Sequence, residues 1–162
     1  MRRARDSGHR IGNHTWSHSG PLGPLPPERA LEEFDRCAEV LASLGVQERL
    51  FRPQGRASIG PHLLQPVVVD RLTQGGYTCV TWNSVPGDYR DEDGWMARAL
   101  VDLRTREHSL LVLHDIAGAA ITHLDEFLAQ LAAEHEIVRE FPADCLPIVE
   151  GRIVLPMAGY SA

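Results

Sequence analysis

The most informative segment of the sequence is Gly8–His18, GHRIGNHTWSH. Its first half predicts a short strand over residues 9–13, and two histidines follow four residues apart, His14 and His18. An i, i+4 pair lies on one face of a helix, a spacing suited to two imidazoles on one zinc ion. Because such pairs are often ordinary polar surface, the rest of the chain has to distinguish the two interpretations.

The composition is that of an ordinary globular protein. The chain has 162 residues, of which 43% are hydrophobic and 23% charged, so we expect a single domain over residues 1–162. A net charge of −6 argues against nucleic acid or an anionic membrane as a partner. We find no signal peptide and no membrane-spanning run, which makes the cytoplasm the default location. The oligomeric state is left open.

Three cysteines, Cys37, Cys79 and Cys145, are widely spaced and form no CxxC pair. A disulfide framework or a cysteine zinc site is therefore not expected. Buried thiols are the simpler interpretation.

Strand-like and helix-like segments alternate along the chain. Strands are predicted over 9–13, 49–52, 77–83, 109–114 and 135–141, and helices over 28–44, 62–74, 93–106 and 121–133. Five strands separated by four helices predict an α/β fold with a parallel sheet and helices outside. Residues 142–162 are expected to form a tail or a small hairpin about Glu150 and Gly151.

Polar residues suited to chemistry follow four of these strands. They are His14, His18, Arg52, Asp88, His114 and Asp115. The carboxyl ends of parallel strands share one face of a sheet, where α/β proteins hold their active sites. His114 closes an apolar run, where a chargeable ring suggests acid–base work. Asp88 and Asp115 could hold that ring in one tautomer or simply cap helices, and Arg52 could be a surface arginine.

These residues resemble the motifs of the polysaccharide deacetylases, the NodB-homology group also called carbohydrate esterase family 4. Residues 8–18 are similar to the family's metal-binding motif. FRPQG at 51–55, TWNSVPGDY at 81–89 and LLVLHD at 110–115 are similar to its further motifs, in the family's order. The resemblance implies an incomplete, distorted (β/α) barrel. It also implies removal of acetyl groups from N-acetylated or O-acetylated carbohydrate with a divalent metal, zinc first.

The resemblance assigns a role to each motif residue. His14 and His18 would ligate the metal. His114 would be the general acid, and Asp88 would orient it. Arg52 would orient the catalytic base.

The pocket and the start of the chain complete the comparison with the family. Trp82 and Val112 would help line a pocket for the acetyl methyl group. Gln54 stands where an aromatic or small residue is usual. The family's paired aspartates, which supply the third ligand and the base, should precede His9 by tens of residues, and only eight residues do. We therefore expect an N-terminally truncated chain.

Three hypotheses follow from this gap. The first is a metal-dependent deacetylase whose sequence is truncated. The second is a pseudoenzyme of the same fold that binds metal or sugar, since a hydrolytic zinc normally has three protein ligands and water. Asp115 or His123 could replace the missing ligand, although no spacing demands it. The third is a hydrolase of the same family that acts on a small amide.

Overall fold

Five α-helices and four two-residue strands make up the regular structure of the chain, which the computed structural model describes over residues 1–162. The helices are α1 (Arg2–Asp6), α2 (Pro27–Ser43), α3 (Pro66–Gln74), α4 (Trp95–Arg104) and α5 (Leu124–Glu134). The strands are β1 (Leu50–Phe51), β2 (Thr78–Cys79), β3 (Ile148–Val149) and β4 (Arg152–Ile153). Short 3-10 turns cover Ala120–His123, Ala143–Cys145 and Met157–Gly159.

The chain divides into two compact units. The N-terminal unit contains Met1–Thr81 together with Leu146–Ala162, and the central unit contains Trp82–Cys145. None of the helices combines the length and the apolar character that crossing a membrane requires.

The sheet lies in the N-terminal unit and is mixed, in the order β1-β2-β3-β4. β1 pairs with β2 in parallel, and the β2–β3 and β3–β4 pairs are antiparallel. The prediction of about five parallel strands is therefore wrong. The predicted strands at 9–13 and 109–114 are reduced to single parallel bridges, Asn13 to Phe51 and Ser84 to Leu111. Residues 135–141 form no strand at all.

The helices follow the sequence pattern because their apolar stripes are buried. α2 begins with a proline in its first turn, where the missing N–H costs nothing, and it buries Ala30, Phe34 and Leu41. Gly45 follows it with φ +74°, a backbone conformation that glycine adopts without strain. The ambiguous segment 62–74 resolves as α3, which buries Val68, Val69 and Leu72.

Aromatic contacts join α2 to the sheet in the N-terminal unit. The Phe34 ring meets the Phe51 ring edge-on at 5.2 Å between centroids and the Tyr77 ring at 5.0 Å. Such edge-to-face pairs add to the burial of the rings themselves. This packing fixes α2 against the end of β1, where the polar residues begin.

A hairpin closes the sheet. Its turn residues Glu150 and Gly151 have φ of +48° and +78°, the two positive values that suit a tight antiparallel connection. A side chain at position 151 would place its Cβ 2.4 Å from the Thr73 carbonyl oxygen, so only glycine fits there.

The central unit has its own small core. Trp95 and Ala99 of α4 pack with Ala120 and with Phe127 of α5. The Trp95 and Phe127 rings meet edge-on at 4.9 Å. Leu111 and Leu113 pack against this cluster, which holds the segment that leads into His114.

Candidate functional site

The two histidines near the start of the chain face each other. The Nε2 atoms of His14 and His18 are 3.2 Å apart. His14 Nδ1 lies 2.6 Å from the backbone carbonyl oxygen of Arg52. A carbonyl oxygen can only accept, so Nδ1 carries the proton and donates it, and His14 Nε2 presents its lone pair.

The histidine loop, residues 13–18, is not a helix, which corrects the expectation that the pair shares a helical face. Thr15 and His18 have φ of +69° and +52°, in the left-handed region. Side-chain hydrogen bonds replace the helical ladder: the buried Asn13 accepts the Thr15 N–H at 3.0 Å and donates its amide to the Phe34 carbonyl oxygen at 2.9 Å. Asparagine makes such local bonds readily and in doing so competes with helix formation.

Helix α2 holds the far end of the same loop. The buried carboxylate of Glu33 accepts hydrogen bonds from the Ser17 N–H and hydroxyl, each at 2.8 Å. The Arg36 guanidinium lies 4.5 Å from the centre of the Trp16 ring, within the range of a cation–π contact. Non-glycine residues with positive φ persist only where surrounding bonds impose them, as these contacts do.

The spacing of the two Nε2 atoms fits a divalent cation. Zinc ligated tetrahedrally at about 2.0–2.1 Å would hold two nitrogen ligands about 3.3 Å apart. The observed 3.2 Å separation matches that value, and the His14 tautomer leaves the correct atom unprotonated. Residues 1–162 bring no three His, Cys, Asp or Glu side chains together as a metal-binding group, so the pair accounts for two ligand positions.

Arg52 supports the loop through its main chain. Its N–H donates to the Asn13 carbonyl oxygen at 2.9 Å, and its own carbonyl oxygen accepts the His14 ring bond. Burial lowers the pKa of the Arg52 guanidinium, and no neighbouring carboxylate opposes that shift. The predicted partner of this arginine, a catalytic base, therefore has no counterpart among residues 1–162, and its orienting role stays a prediction.

Asp88 and His114 form a dyad in the central unit. Asp88 is fully buried, and its Oδ1 lies 2.9 Å from His114 Nδ1. Its Oδ2 accepts the His114 backbone N–H at 2.7 Å and the Ala120 N–H at 3.3 Å. An ionised carboxylate can only accept, so Nδ1 is the protonated ring nitrogen and Nε2 faces away from the aspartate.

One aromatic ring, that of Tyr89, contacts the dyad. The Tyr89 ring meets the His114 ring edge-on at 4.9 Å, a contact that the sequence did not suggest. Trp82 and Val112 are both buried, and their role as a pocket wall stays a prediction. Of the two reserve ligands, Asp115 is exposed and His123 lies 3.7 Å from a carboxylate oxygen of Asp93.

The fold is that of a mixed α/β protein with a four-stranded sheet, and it resembles the fold of NodB-type deacetylases. The model of the polysaccharide deacetylase family matches residues 1–78, the part that carries the histidine loop and Arg52. This match confirms the resemblance of these residues to the polysaccharide deacetylases. No functionally curated protein has a significantly similar sequence.

Solved structures of deacetylases share the fold. Peptidoglycan deacetylase PdaC from Bacillus subtilis, in a mutant form, is 22% identical with a TM-score of 0.61, over 82% of this chain. The Bc1960 peptidoglycan N-acetylglucosamine deacetylase is 22% identical with a TM-score of 0.66, over 84% of this chain. The family 4 carbohydrate esterase from Streptomyces lividans, in complex with acetate, is 18% identical with a TM-score of 0.66, over 91%. This chain spans 61%, 63% and 74% of their respective lengths.

Proposed function

We propose that this protein is a metal-dependent hydrolase that removes acetyl groups from N-acetylated or O-acetylated carbohydrate. The observation that carries the proposal is the pair of facing Nε2 atoms in the histidine loop, 3.2 Å apart, with the His14 tautomer set by a backbone carbonyl. The family match over residues 1–78 and the fold shared with carbohydrate deacetylases support it.

In this proposal His14 and His18 hold the metal, most simply zinc. Zinc held by these two residues would supply Lewis-acid chemistry, since such an ion can polarise a carbonyl and lower the pKa of water to about 7. Imidazole nitrogens are ligands that zinc prefers, and the hydrogen bond from His14 Nδ1 keeps that ring oriented. The chain's own contribution is thus two imidazole nitrogens at the spacing of zinc ligands, of which His14 Nε2 presents its lone pair.

The proposal assigns His114 of the dyad as the general acid. Breaking an amide requires a proton on the departing nitrogen, and an imidazolium donates one near neutral pH. Asp88 accepts the Nδ1–H of His114, so the proton given to the leaving group comes from Nε2. Trp82 and Val112 are proposed to contact the acetyl methyl group, and Arg52 to orient the base.

A specific observation favours a second candidate, a pseudoenzyme of the same fold. Residues 1–162 supply neither a three-residue metal group nor a carboxylate for the Arg52 guanidinium. Two histidines alone bind zinc more weakly than a complete site. Such a protein would bind metal or sugar without turnover.

Acetate release from chitin oligomers and acetylxylan, measured after loading with zinc, separates the two candidates. We expect wild type to release acetate and His14→Ala to lose both zinc and turnover. His9→Ala, which changes an exposed histidine close to the loop, is the matched control and should retain both. His114→Gln should keep zinc and lose turnover.

Two results would overturn the proposal. Equal zinc binding by wild type and His14→Ala would remove the metal site. Zinc binding by wild type without acetate release from either substrate would leave the pseudoenzyme instead.

A further inference from the structure

We infer that Glu33 is a positioning residue for the histidine pair and sets the affinity of the site for a divalent cation. The inference rests on the proposed metal site. It concerns a side chain that lies on α2, outside all the motifs quoted above.

The two histidines are anchored in different ways. His14 is held directly, by the bond from its Nδ1 to the Arg52 carbonyl oxygen. The His18 ring has no hydrogen-bond partner except His14 itself. The position of the His18 ring therefore depends on its backbone. The backbone φ of His18 is +52°, in the left-handed region that is uncommon for residues other than glycine.

Glu33 holds that backbone through the neighbouring residue. Both of its carboxylate oxygens bond to Ser17, one to the N–H and one to the hydroxyl, each at 2.8 Å. This two-point contact fixes the Trp16–Ser17 peptide, through its N–H, and the Ser17 side chain, one residue before His18. Rotation of the backbone at Ser17 would swing the His18 ring away from His14.

Burial of the Glu33 carboxylate costs free energy, because the carboxylate is removed from water. Its exposed fraction is 4%, and it lies on the apolar side of α2 with Ala30 and Phe34. Removing a carboxylate from water is unfavourable unless hydrogen bonds compensate, and an apolar side chain would stabilise the helix contact better. The two bonds to Ser17 supply this compensation, so the carboxylate serves the loop rather than the core.

Zinc affinity of the full chain, measured by competition with a chromophoric chelator, tests the inference. We expect Glu33→Ala to bind zinc at least about tenfold more weakly, the loss typical of residues that orient metal ligands. Glu33→Gln should stay close to wild type, because its amide oxygen can accept the Ser17 N–H and its NH₂ can donate to the hydroxyl. Glu39→Ala, an exposed position on the same helix, is the matched control.

A second measurement separates positioning from general stability. Ser17→Ala removes one of the two bonds and should weaken zinc binding less than Glu33→Ala, and the double variant should bind like Glu33→Ala because both act through one contact. A merely structural role predicts lower melting temperatures with unchanged zinc affinity of the folded chain, and that result would overturn the inference. If His14→Ala also bound zinc normally, the proposed site itself would fail. Loss in His14→Ala but not in Glu33→Ala would refute the role of Glu33 alone.

Discussion

Replacing Asp88 by alanine should destabilise the central unit by about 3 kcal/mol. The carboxylate is fully buried and accepts two backbone N–H groups, from His114 at 2.7 Å and from Ala120 at 3.3 Å. Each buried donor left without an acceptor costs roughly 1–3 kcal/mol, so we assign about 2 to the shorter bond and about 1 to the longer one. The His114 side chain is 30% exposed and its ring can hydrogen-bond to water instead, so the loss of its bond to Asp88 adds little to the destabilisation.

Asp88→Asn separates stability from chemistry. Its amide oxygen can face the two backbone donors, so we expect a loss of only about 1 kcal/mol. Its NH₂ then faces His114 Nδ1, which must become the acceptor, and the proton of the neutral ring moves to Nε2. In the proposed reaction this wrong tautomer should reduce turnover by roughly 10³- to 10⁴-fold.

Denaturant unfolding followed by the fluorescence of Trp95, which is buried in the same unit, measures the stability difference. Long-range ¹H–¹⁵N correlation spectra of labelled protein report the tautomer of His114. Unfolding of Asp88→Ala at the wild-type midpoint would refute the hydrogen-bond account. An Asn variant that kept the Nδ1–H tautomer would refute the account of ring orientation.

Three further predictions concern the N-terminal unit. Gly151→Ala should cost roughly 2 kcal/mol or more, because φ is +78° and the added Cβ would meet the Thr73 carbonyl oxygen; an unchanged melting temperature would contradict this. Arg52→Met should raise the free energy of unfolding by about 1 kcal/mol, since it removes a desolvated cation that has no ion pair, and a lower value in denaturant titration would show a hidden partner. Burial raises the pKa of the Cys79 thiol from 9.0 to about 12, so the unfolded state loses this proton first and stability should fall as pH rises from 9 towards 12. Cys79→Ala should show less of that fall when unfolding is compared at pH 8 and pH 11.

Helices were predictable from the sequence because the apolar pattern that specifies a helix lies within the helical segment itself. The stripe of Ala30, Phe34 and Leu41 specifies α2 without knowledge of any neighbour, and Gly45 marks its end. A strand forms only when it pairs with another strand, and the sequence pattern of one segment does not identify its pairing partner. Residues 135–141 have a strand-like composition, yet Ile137 and Val138 are both exposed and no neighbouring strand pairs with them. In this segment the apolar run predicted neither burial nor a strand.

The parts of the candidate site that contain histidine, an infrequent residue type, were predictable from the sequence. Asp88 and His114 do come together as the dyad, and His14 meets His18 although by a loop and not by a helix. Glu33 was missed because acidic residues are common on helix surfaces. The signal was present: its position, three residues after Ala30, falls within the apolar stripe of α2, where a charge requires a partner.

The N-terminal unit is assembled from two distant stretches, and this has a consequence for biosynthesis. β3 from the second stretch covers the edge of β2, and the Leu64 N–H donates to the Tyr160 carbonyl oxygen at 3.0 Å. During synthesis, residues 1–81 therefore emerge from the ribosome before the segment that completes their sheet. The whole central unit is translated in between. Until then β2 offers unpaired backbone groups that can recruit other nascent chains. The sheet can be completed only after residues 146–162 have been translated, and slow translation of the intervening central unit would prolong the exposure of β2 to aggregation.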